Sequence, residues 1–399
     1  MSARVALALA LGLAGTAHAG GLAVGQQTAV SAGTGGAGAG RDDDPGAAWH
    51  APAALADDGG LRLGLSLVLA HPRITARAAD GTWTTDSEGQ WSTPPHLDAS
   101  VAQGAWAGGL TVGVPFGGGV AWPATWPGAT EAVASELRVL RAAPFVARRL
   151  GPLRLAVGVH LDAARLQVAR NLDFIDADGD VRIDLDGTGV GLDASAYYTP
   201  RADTALALTY RGRTRLDLDG NANFTAPDAF AGKAPDQGAR TTMTMPDVIV
   251  LGARYRRGAV TALVDVEHTR WSVNRATTIT FASAATDDAV QRNDWGNTTG
   301  VRAGAEWKRR RLVVRGGGYV DPSPVPTARL SPASPDGHRL GLTAGASYAV
   351  SPAWSADAFA EHLWILRRET TSPEASPTTM AASYGGRALV LGVGLRFTR

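Results

Sequence analysis

The stretch Leu61-Arg62-Leu63-Gly64-Leu65-Ser66-Leu67-Val68-Leu69 places leucine at every second position. A side-chain period of two puts one class of residue on each face of a β-strand. The same alternation recurs along the chain and ends with Leu389, Leu391, Val393, Leu395 and Phe397. No predicted helical segment lies between these stretches to cover the apolar face. That face therefore needs either lipid or a second sheet.

The N-terminus indicates export. Arg4 supplies a positive charge, residues 5–14 are apolar, and Ala17-His18-Ala19 has the small residues of a cleavage site. We therefore expect residues 1–19 to be a secretory signal peptide. The apolar run is far shorter than the roughly 20 residues that a membrane-spanning helix needs.

The composition fits one large all-β unit. The chain has 399 residues, of which 49 are glycine, 22 are proline and 19% are charged. The formal net charge of +1 gives no indication of a nucleic-acid partner. An exported chain with no cysteine has no disulfides to stabilise it. A closed barrel suits this composition because its strands satisfy their own edges.

Period-two segments predict about fourteen strands, an even number, as expected for a bacterial single-chain barrel. The predicted strands are 61–78, 95–103, 106–116, 133–149, 153–171, 181–199, 204–218, 241–257, 259–275, 295–308, 311–320, 338–350, 353–368 and 383–398. We therefore predict an all-β fold, a transmembrane antiparallel β-barrel over residues 61–399.

The predicted linkers alternate in length. Tight turns lie near residues 104, 151, 202, 258, 310 and 352, whereas long Gly-, Pro- and Asp-rich stretches separate the other strand pairs. In outer-membrane barrels the short turns are periplasmic and the long loops extracellular. A soluble sandwich has no reason to alternate its loops in this way. The pattern predicts the outer membrane of a Gram-negative bacterium, with lipid and lipopolysaccharide as surroundings and a monomeric barrel.

Individual strands predict lipid outside and a polar lumen inside. In the fifth predicted strand Leu155, Val157 and Val159 oppose His160 and Asp162. In the seventh, the apolar face would comprise Leu206, Leu208, Tyr210, Leu216 and Leu218, and the polar face Arg211, Arg213, Arg215 and Asp217. A charge on the lipid side would cost about 2–4 kcal/mol at the bilayer midplane. We therefore expect the charged faces to point inward.

Residues 20–60 lack strand alternation, are rich in Gly and Ala, and are long enough to fold back into the lumen as a plug, or hatch. Within them, residues 42–55 read DDDPGAAWHAPAAL. Further along the chain lie Met245-Pro246-Asp247, DVEHTRWS at 265–272, YVDPSPVP at 319–326, SPDGHR at 334–339 and Ser372-Pro373. In these segments the chain resembles the FadL-type family of outer-membrane hydrophobic-compound transporters, the OmpP1/FadL/TodX group.

Two departures from the family pattern stand out. The family's Asn-Pro-Ala appears here as Ala51-Pro52-Ala53, and Thr398-Arg399 extends beyond the terminal Phe397. The resemblance implies a fourteen-stranded barrel plugged by its hatch that takes up long-chain fatty acids or other apolar molecules. It also implies capture on extracellular loops, a pocket in the lumen and a lateral exit where the third strand kinks inward. No cofactor, metal or enzymatic activity is expected.

The third strand holds the candidate lateral opening. Gly113, Pro115 and Gly117 weaken ladder bonding and permit a bend. The alternative is that Gly117-Gly118-Gly119 merely begins a loop.

Aromatic residues on the long loops are candidates for solute capture. They are Trp122 and Trp126 after the third strand, and Phe224 and Phe230 after the seventh. Exposed aromatics on loops suggest an apolar binding surface. Packing within the loops, or an aromatic girdle at the bilayer interface, is the alternative.

Leu22 and Val24 are expected to touch the apolar solute, because the family resemblance places this end of the chain in the pocket. Arg211, Arg213 and Arg215 could bind a carboxylate, since guanidinium suits carboxylate geometry. The favoured alternative is a lumen wall in which these arginines pair with Asp265 or Glu267.

Other motifs predict little. Residues 33–38 spell a dinucleotide fingerprint but lack the flanking strand and helix. Residues 176–180 resemble a calcium loop but lack its turn glycine and bidentate Glu, so we expect a solvated loop. Two further functions stay open: a diffusion porin for polar solutes, which needs no plug, and a lipid hydrolase using His160 or His268 with a serine that meets it only in space.

Overall fold

The barrel wall is one sheet whose two ends pair with each other. The computed structural model describes residues 21–57, 59–89, 91–174, 178–230, 232, 234–370 and 380–399. The first and last strands pair from Arg62 opposite Thr398 to Ala78 opposite Ala382, which closes the sheet. The expected signal peptide lies outside the described residues, as do Ser372-Pro373 and part of the acidic loop near residue 176.

The strands of the described residues are β1 (Leu61–Ala78), β2 (Thr84–Asp86), β3 (Pro95–Gln103), β4 (Trp106–Ala121), β5 (Ala134–Leu150), β6 (Leu153–Asp173), β7 (Asp178–Arg201), β8 (Thr204–Arg211), β9 (Thr214–Thr225), β10 (Gln237–Met245), β11 (Val248–Arg257), β12 (Val260–Thr269), β13 (Ala276–Phe281), β14 (Ala289–Arg292), β15 (Thr298–Arg309), β16 (Leu312–Asp321), β17 (Arg339–Ala349), β18 (Trp354–Glu369) and β19 (Ala382–Thr398).

Fourteen antiparallel strands form the closed ring. Their order is β1, β3, β4, β5, β6, β7, β8, β11, β12, β15, β16, β17, β18, β19 and back to β1. The strands β9, β10, β13 and β14 extend the wall at the rim that carries the long loops. The predicted all-β barrel of about fourteen strands is confirmed.

The described part of the chain contains no helix that is long and apolar enough to cross a membrane.

Strand alternation separates a lipid face from a lumen face. In β1 the leucines from Leu61 to Leu69 are 37–50% exposed, whereas the intervening Val68 and Ala70 are buried. In β6, Val157 and Val159 are exposed, whereas His160 and Asp162 are buried inside the barrel. Polar side chains are thus kept out of the hydrocarbon, where they would cost several kcal/mol.

The short turns have the backbone geometry that tight hairpins require. Gly104, Gly151 and Gly258 adopt φ values of 62°, 64° and 59°, a left-handed region that glycine enters without a steric penalty. Arg310 adopts φ 55° in the turn between β15 and β16. We call the rim with these short turns the periplasmic rim and the opposite rim the extracellular rim.

The prediction for the outer part of the seventh wall strand is wrong. Arg211 of β8 pairs with Asp193 of β7, and Asp217 of β9 pairs with Thr188 of β7. The six residue steps from Arg211 to Asp217 therefore lie opposite only five residue steps of β7. This one-residue bulge reverses the faces. Arg213, Arg215 and Asp217 are consequently exposed on the outside, whereas Leu216 and Leu218 are buried inside.

The hatch fills the lumen next to the periplasmic rim. It contains two short helices, α1 (Ala29–Ala32) and α2 (Ala47–His50), and a 3-10 helix, Pro52–Leu55. Small residues let it pack closely against the wall. A side chain at Gly317 of β16 or Gly304 of β15 would collide with the backbone of Thr34.

Candidate functional site

A cavity of about 460 Å³ occupies the lumen next to the extracellular rim. Its wall is largely apolar and includes Leu22, Leu137, Leu166, Phe224, Phe281 and Trp295. Its volume falls within the range of about 300–1,000 Å³ that is typical of small-molecule pockets. An apolar solute would exchange water for these side chains and gain the associated hydrophobic free energy.

Six ionisable side chains interrupt this apolar wall: Glu131, Arg170, Asp287, Asp288, Asp336 and Arg339. Arg170 of β6 lines the cavity, and its guanidinium is accessible and bonds to no described residue. Arg339 is 3% exposed; one of its nitrogens bonds to Asp336 and to the carbonyl of Gly21, whereas its Nε and Nη1 have no partner. Arg170 can therefore donate hydrogen bonds to an anion in the cavity, whereas the free donors of Arg339 are buried.

Glu131, in the loop after β4, is another ionisable group at the cavity. It accepts a hydrogen bond of 2.5 Å from the backbone N–H of Met380. Burial raises the pKa of this carboxyl to about 7, and the bond from Met380 opposes the shift. The charge of Glu131 therefore changes near neutral pH.

The cavity ends where the hatch meets β4. The N–H of Val24 donates to the carbonyl of Pro115 (2.9 Å), and the N–H of Gly117 donates to the carbonyl of Leu22 (2.8 Å). Ala23 forms an isolated antiparallel bridge with Phe116. The start of the hatch thus acts as a short replacement strand along β4.

This replacement is needed because β4 loses its neighbour on one side. Its pairing with β3 ends where Val112 faces Leu97. On the other side, the register with β5 shifts by one residue between Gly113 and Phe116. The third wall strand is therefore bulged at the predicted position. It continues to Ala121, so the alternative that Gly117-Gly118-Gly119 begins a loop is wrong.

Gln27 of the hatch also completes the bulge. Its side-chain amide donates to the carbonyls of Val24 (2.7 Å) and Val114 (2.9 Å), and its oxygen lies 3.2 Å from His96 Nδ1. Gly113 is required here because a Cβ would approach His96 and Gln27. Val24 packs against Val114 and Leu140 rather than against the main cavity, which Leu22 lines.

Ion pairs hold the hatch at the periplasmic rim. The three consecutive aspartates Asp42, Asp43 and Asp44 pair with Arg254, Arg256 and Arg396, respectively. Arg41 pairs with Glu306 at 2.8 Å. These contacts join the hatch to three separate wall strands, β11, β15 and β19. The straight path from the cavity to the periplasm is therefore closed.

The altered family motif lies inside this closed region. Ala51 and Ala53 are fully buried, and Pro52 is buried beside them. The N–H of Ala53 donates to Ser195 Oγ at 3.3 Å. The methyl group of Ala51 needs no hydrogen-bond partner in this packed environment.

Arg211 and Arg213 have different surroundings from those expected. Arg211 donates to the carbonyl of Trp49 (3.0 Å) and lies over the Trp49 ring, so it fixes the hatch and does not line the main cavity. Arg213 is exposed on the outside of the barrel and pairs with buried Asp247. Neither the main cavity nor the lumen thus receives the row of three arginines that sequence periodicity predicts.

The loop aromatics are packed rather than exposed. Trp122 and Trp126 are 1% and 4% exposed, stack with ring centroids 4.6 Å apart, and donate to the carbonyls of Pro332 and Ala132. The expectation of exposure is wrong for this pair because the loops fold over one another. Phe224 lines the cavity, whereas Phe230 packs on Phe174.

The two histidines considered for hydrolysis serve as hydrogen-bonding residues of the wall. His160 lies between Asp193 (2.9 Å) and Thr214 (2.8 Å) and has no exposed surface. His268 bonds to Thr299. The arrangement around His160 resembles a relay, but a solute cannot reach it.

Known proteins agree with this architecture. The model of the family described as outer membrane protein transport protein (OMPP1/FadL/TodX) matches residues 10–398. The chain belongs to this family. The OMPP1/FadL/TodX family comprises outer-membrane β-barrel transport proteins of Gram-negative bacteria, which agrees with the predicted location. No curated protein is significantly similar in sequence.

Solved structures share the OMPP1/FadL/TodX fold at low sequence identity. A Pseudomonas aeruginosa FadL homologue is 19% identical, with a TM-score of 0.83 over 94% of this chain and 99% of that one. The P. putida toluene transporter TodX is 17% identical, with a TM-score of 0.77 over 93% and 98%. The Ralstonia pickettii toluene transporter TbuX is 19% identical, with a TM-score of 0.69 over 93% and 98%.

Sequence reasoning missed the charged residues of the cavity. Arg170 follows His160, Asp162 and Leu166 at even spacing on one face of β6, so strand parity alone would place it inside. In the sequence, Arg339 stands out only as part of the family motif at residues 334–339. Glu131 had no sequence signal because its loop is irregular and its burial depends on distant loops.

Proposed function

We propose that this protein is a passive transporter of hydrophobic small molecules across the outer membrane, with long-chain fatty acids as the best-fitting solutes. One observation carries the proposal: the apolar cavity ends at Leu22, which bonds directly to the bulged strand β4. A solute in the cavity is thus separated from the side of the barrel by only a few residues of the hatch.

The exit is lateral in this proposal. The hatch blocks the axial path with packed side chains and ion pairs, whereas β4 has no β-strand partner beyond Val112 on the side of β3. Movement of residues 22–24 away from β4 would open the wall toward the bilayer. An apolar solute would then enter the membrane without crossing water, which avoids the cost of hydrating its surface.

The cavity chemistry supports an amphipathic acid. The apolar wall suits an alkyl chain, and the accessible guanidinium of Arg170 suits a carboxylate. We propose capture at the extracellular loops, where Phe224 is the member of the four predicted loop aromatics that lines the cavity. The filled periplasmic half of the lumen argues against a general porin for polar solutes.

A reversible cross-link tests the movement of the hatch. The chain has no cysteine, so A23C with F116C would place a single disulfide between two residues that already form a bridge. The matched control is A262C with A305C, two small residues paired between β12 and β15 on the lipid face. Uptake of radiolabelled oleate and of a polar sugar is measured in cells that have no other hydrophobic-uptake protein.

We expect oxidation to block oleate uptake through the hatch pair and reduction to restore it, with the control pair unaffected. Oleate uptake that persists in the oxidised hatch pair would refute lateral exit. Sugar uptake without oleate uptake would make the protein a porin.

A further inference from the structure

The periplasmic rim carries a continuous run of exposed cations. We call it the basic arc; its members are Arg148, Arg201, Arg257, Lys308, Arg309 and Arg311. They lie at the four turns that join β5 to β6, β7 to β8, β11 to β12 and β15 to β16. These eight strands are consecutive in the ring. The positive charge is therefore concentrated along one side of the barrel.

Most members of the basic arc have no carboxylate partner among the described residues of this rim. Asp203 approaches only Arg201, at 3.8 Å. Glu306 is used by Arg41 and Arg315, and Asp43 by Arg41 and Arg256, none of which belongs to the arc. The other five members of the arc form no ion pair with a described residue. The arc thus keeps a net positive charge of at least five that no carboxylate of the described residues neutralises.

The arc lies at the level of an aromatic girdle. Trp106, Tyr198, Tyr255 and Trp307 are 41–52% exposed near the same turns. The guanidinium of Arg148 lies 4.9 Å from the Trp106 ring centroid, and that of Arg309 lies 6.0 Å from the Trp307 ring centroid. Exposed Trp and Tyr mark the boundary between hydrocarbon and headgroups. The arginines therefore lie where phospholipid phosphates lie.

We propose that the basic arc binds the headgroups of anionic phospholipids in the periplasmic leaflet. Guanidinium groups match the geometry of phosphate oxygens and can bind them with two parallel hydrogen bonds. The contacts of Arg148 and Arg309 with girdle tryptophans favour a lipid over an acidic soluble protein, because they hold the cations beside the acyl chains. A soluble partner would need these side chains to project away from the membrane.

The arc also leaves the proposed exit free. The turn between β3 and β4 is Gln103-Gly104-Ala105 and carries no charge. Arg148 reaches Trp106 of β4 from the β5 side, so tightly bound lipids would line the wall from there to β16. The lipid on the β3 side, where β4 has no partner beyond Val112, would exchange freely, and a solute that leaves there would meet it.

The test uses native mass spectrometry of the full-length protein in a neutral detergent. Retention of phosphatidylglycerol is compared with retention of phosphatidylcholine that has the same acyl chains. The variant K308Q/R309Q/R311Q removes three charges and keeps Arg310 in its left-handed turn conformation. The matched control R165Q/R182Q/R292Q removes three exposed charges near the extracellular rim. Heat-modifiable migration reports whether each barrel is folded.

We expect the wild-type protein and the control to prefer phosphatidylglycerol and the arc variant to bind it at least about ten-fold less, because each cation near an anionic surface contributes about five-fold. Raising the ionic strength to about 1 M should weaken wild-type binding, which tests the idea without any variant. Equal retention of the two lipids, or full competition by inorganic phosphate, would overturn the proposal. Binding of polyglutamate without phosphatidylglycerol would indicate an acidic protein partner instead.

Discussion

Gln27 should control how firmly the hatch closes β4. The side chain is 3% exposed, and its amide donates to the carbonyls of Val24 and Val114 at 2.7 and 2.9 Å. Only the bond to Val114 joins Gln27 to β4, because Val24 belongs to the hatch itself. Without this donor the buried carbonyl of Val114 is unsatisfied in the closed state, so Q27A should favour the open state by about 2 kcal/mol. This corresponds to an open fraction about 30-fold larger.

Hydrogen exchange of the peptide covering residues 21–27 measures this opening. The N–H of Val24 is bonded to Pro115 only while the hatch is closed, so its exchange rate follows the open fraction. We expect exchange in Q27A to be about 30-fold faster than in the wild type. The control Q103A changes an exposed turn residue and should have no effect. Exchange in Q27A within about three-fold of the wild-type rate would refute the role of Gln27.

Two further predictions concern Arg211 and Glu131. R211A should lower the free energy of unfolding by about 1–3 kcal/mol, because the carbonyl of buried Trp49 loses its donor. R213A should change it by less than about 1 kcal/mol, because Arg213 is half exposed and buried Asp247 keeps its ion pair with Arg270. Urea unfolding compares the two variants, and equal effects would contradict the assignment. Because the pKa of Glu131 is raised from 4.5 to about 7, the folded loop binds its proton more tightly than the unfolded loop does. Resistance of residues 122–133 to proteolysis should therefore be greatest below about pH 4.5 and fall as the pH rises through 7. E131Q should remove this pH dependence, and an unchanged profile in E131Q would assign it to another group.

Alternation of side chains was sufficient to predict the wall. The predicted strands 61–78 and 95–103 have the same ends as β1 and β3, because lipid on one side and lumen on the other select residues at every second position. The bulge in β4 was also predictable, since Gly113 and Pro115 interrupt a ladder wherever they occur. These features depend on local chemistry that the sequence displays directly.

The site was less predictable because it depends on contacts between distant segments. A one-residue bulge before Thr214 reverses the faces of the following strand, and no local signal distinguishes it from regular alternation. Trp122 is buried because it bonds to Pro332, more than two hundred residues away. Whether the guanidinium groups of Arg170 and Arg339 keep free N–H donors likewise depends on which carboxylates the other strands place beside them.

The closure of β1 against β19 fixes the order in which the molecule can assemble. Seventeen residue pairs, from Arg62–Thr398 to Ala78–Ala382, form this seam, and the hatch precedes β1 directly in the chain. The hatch is held to β11, β15 and β19, strands made late in synthesis. The hatch can bind in place only after most of the wall strands have formed, and it must enter the lumen before β1 pairs with β19. Barrel closure is thus also the step that encloses the hatch, and a chain that closes too early would be an open pore.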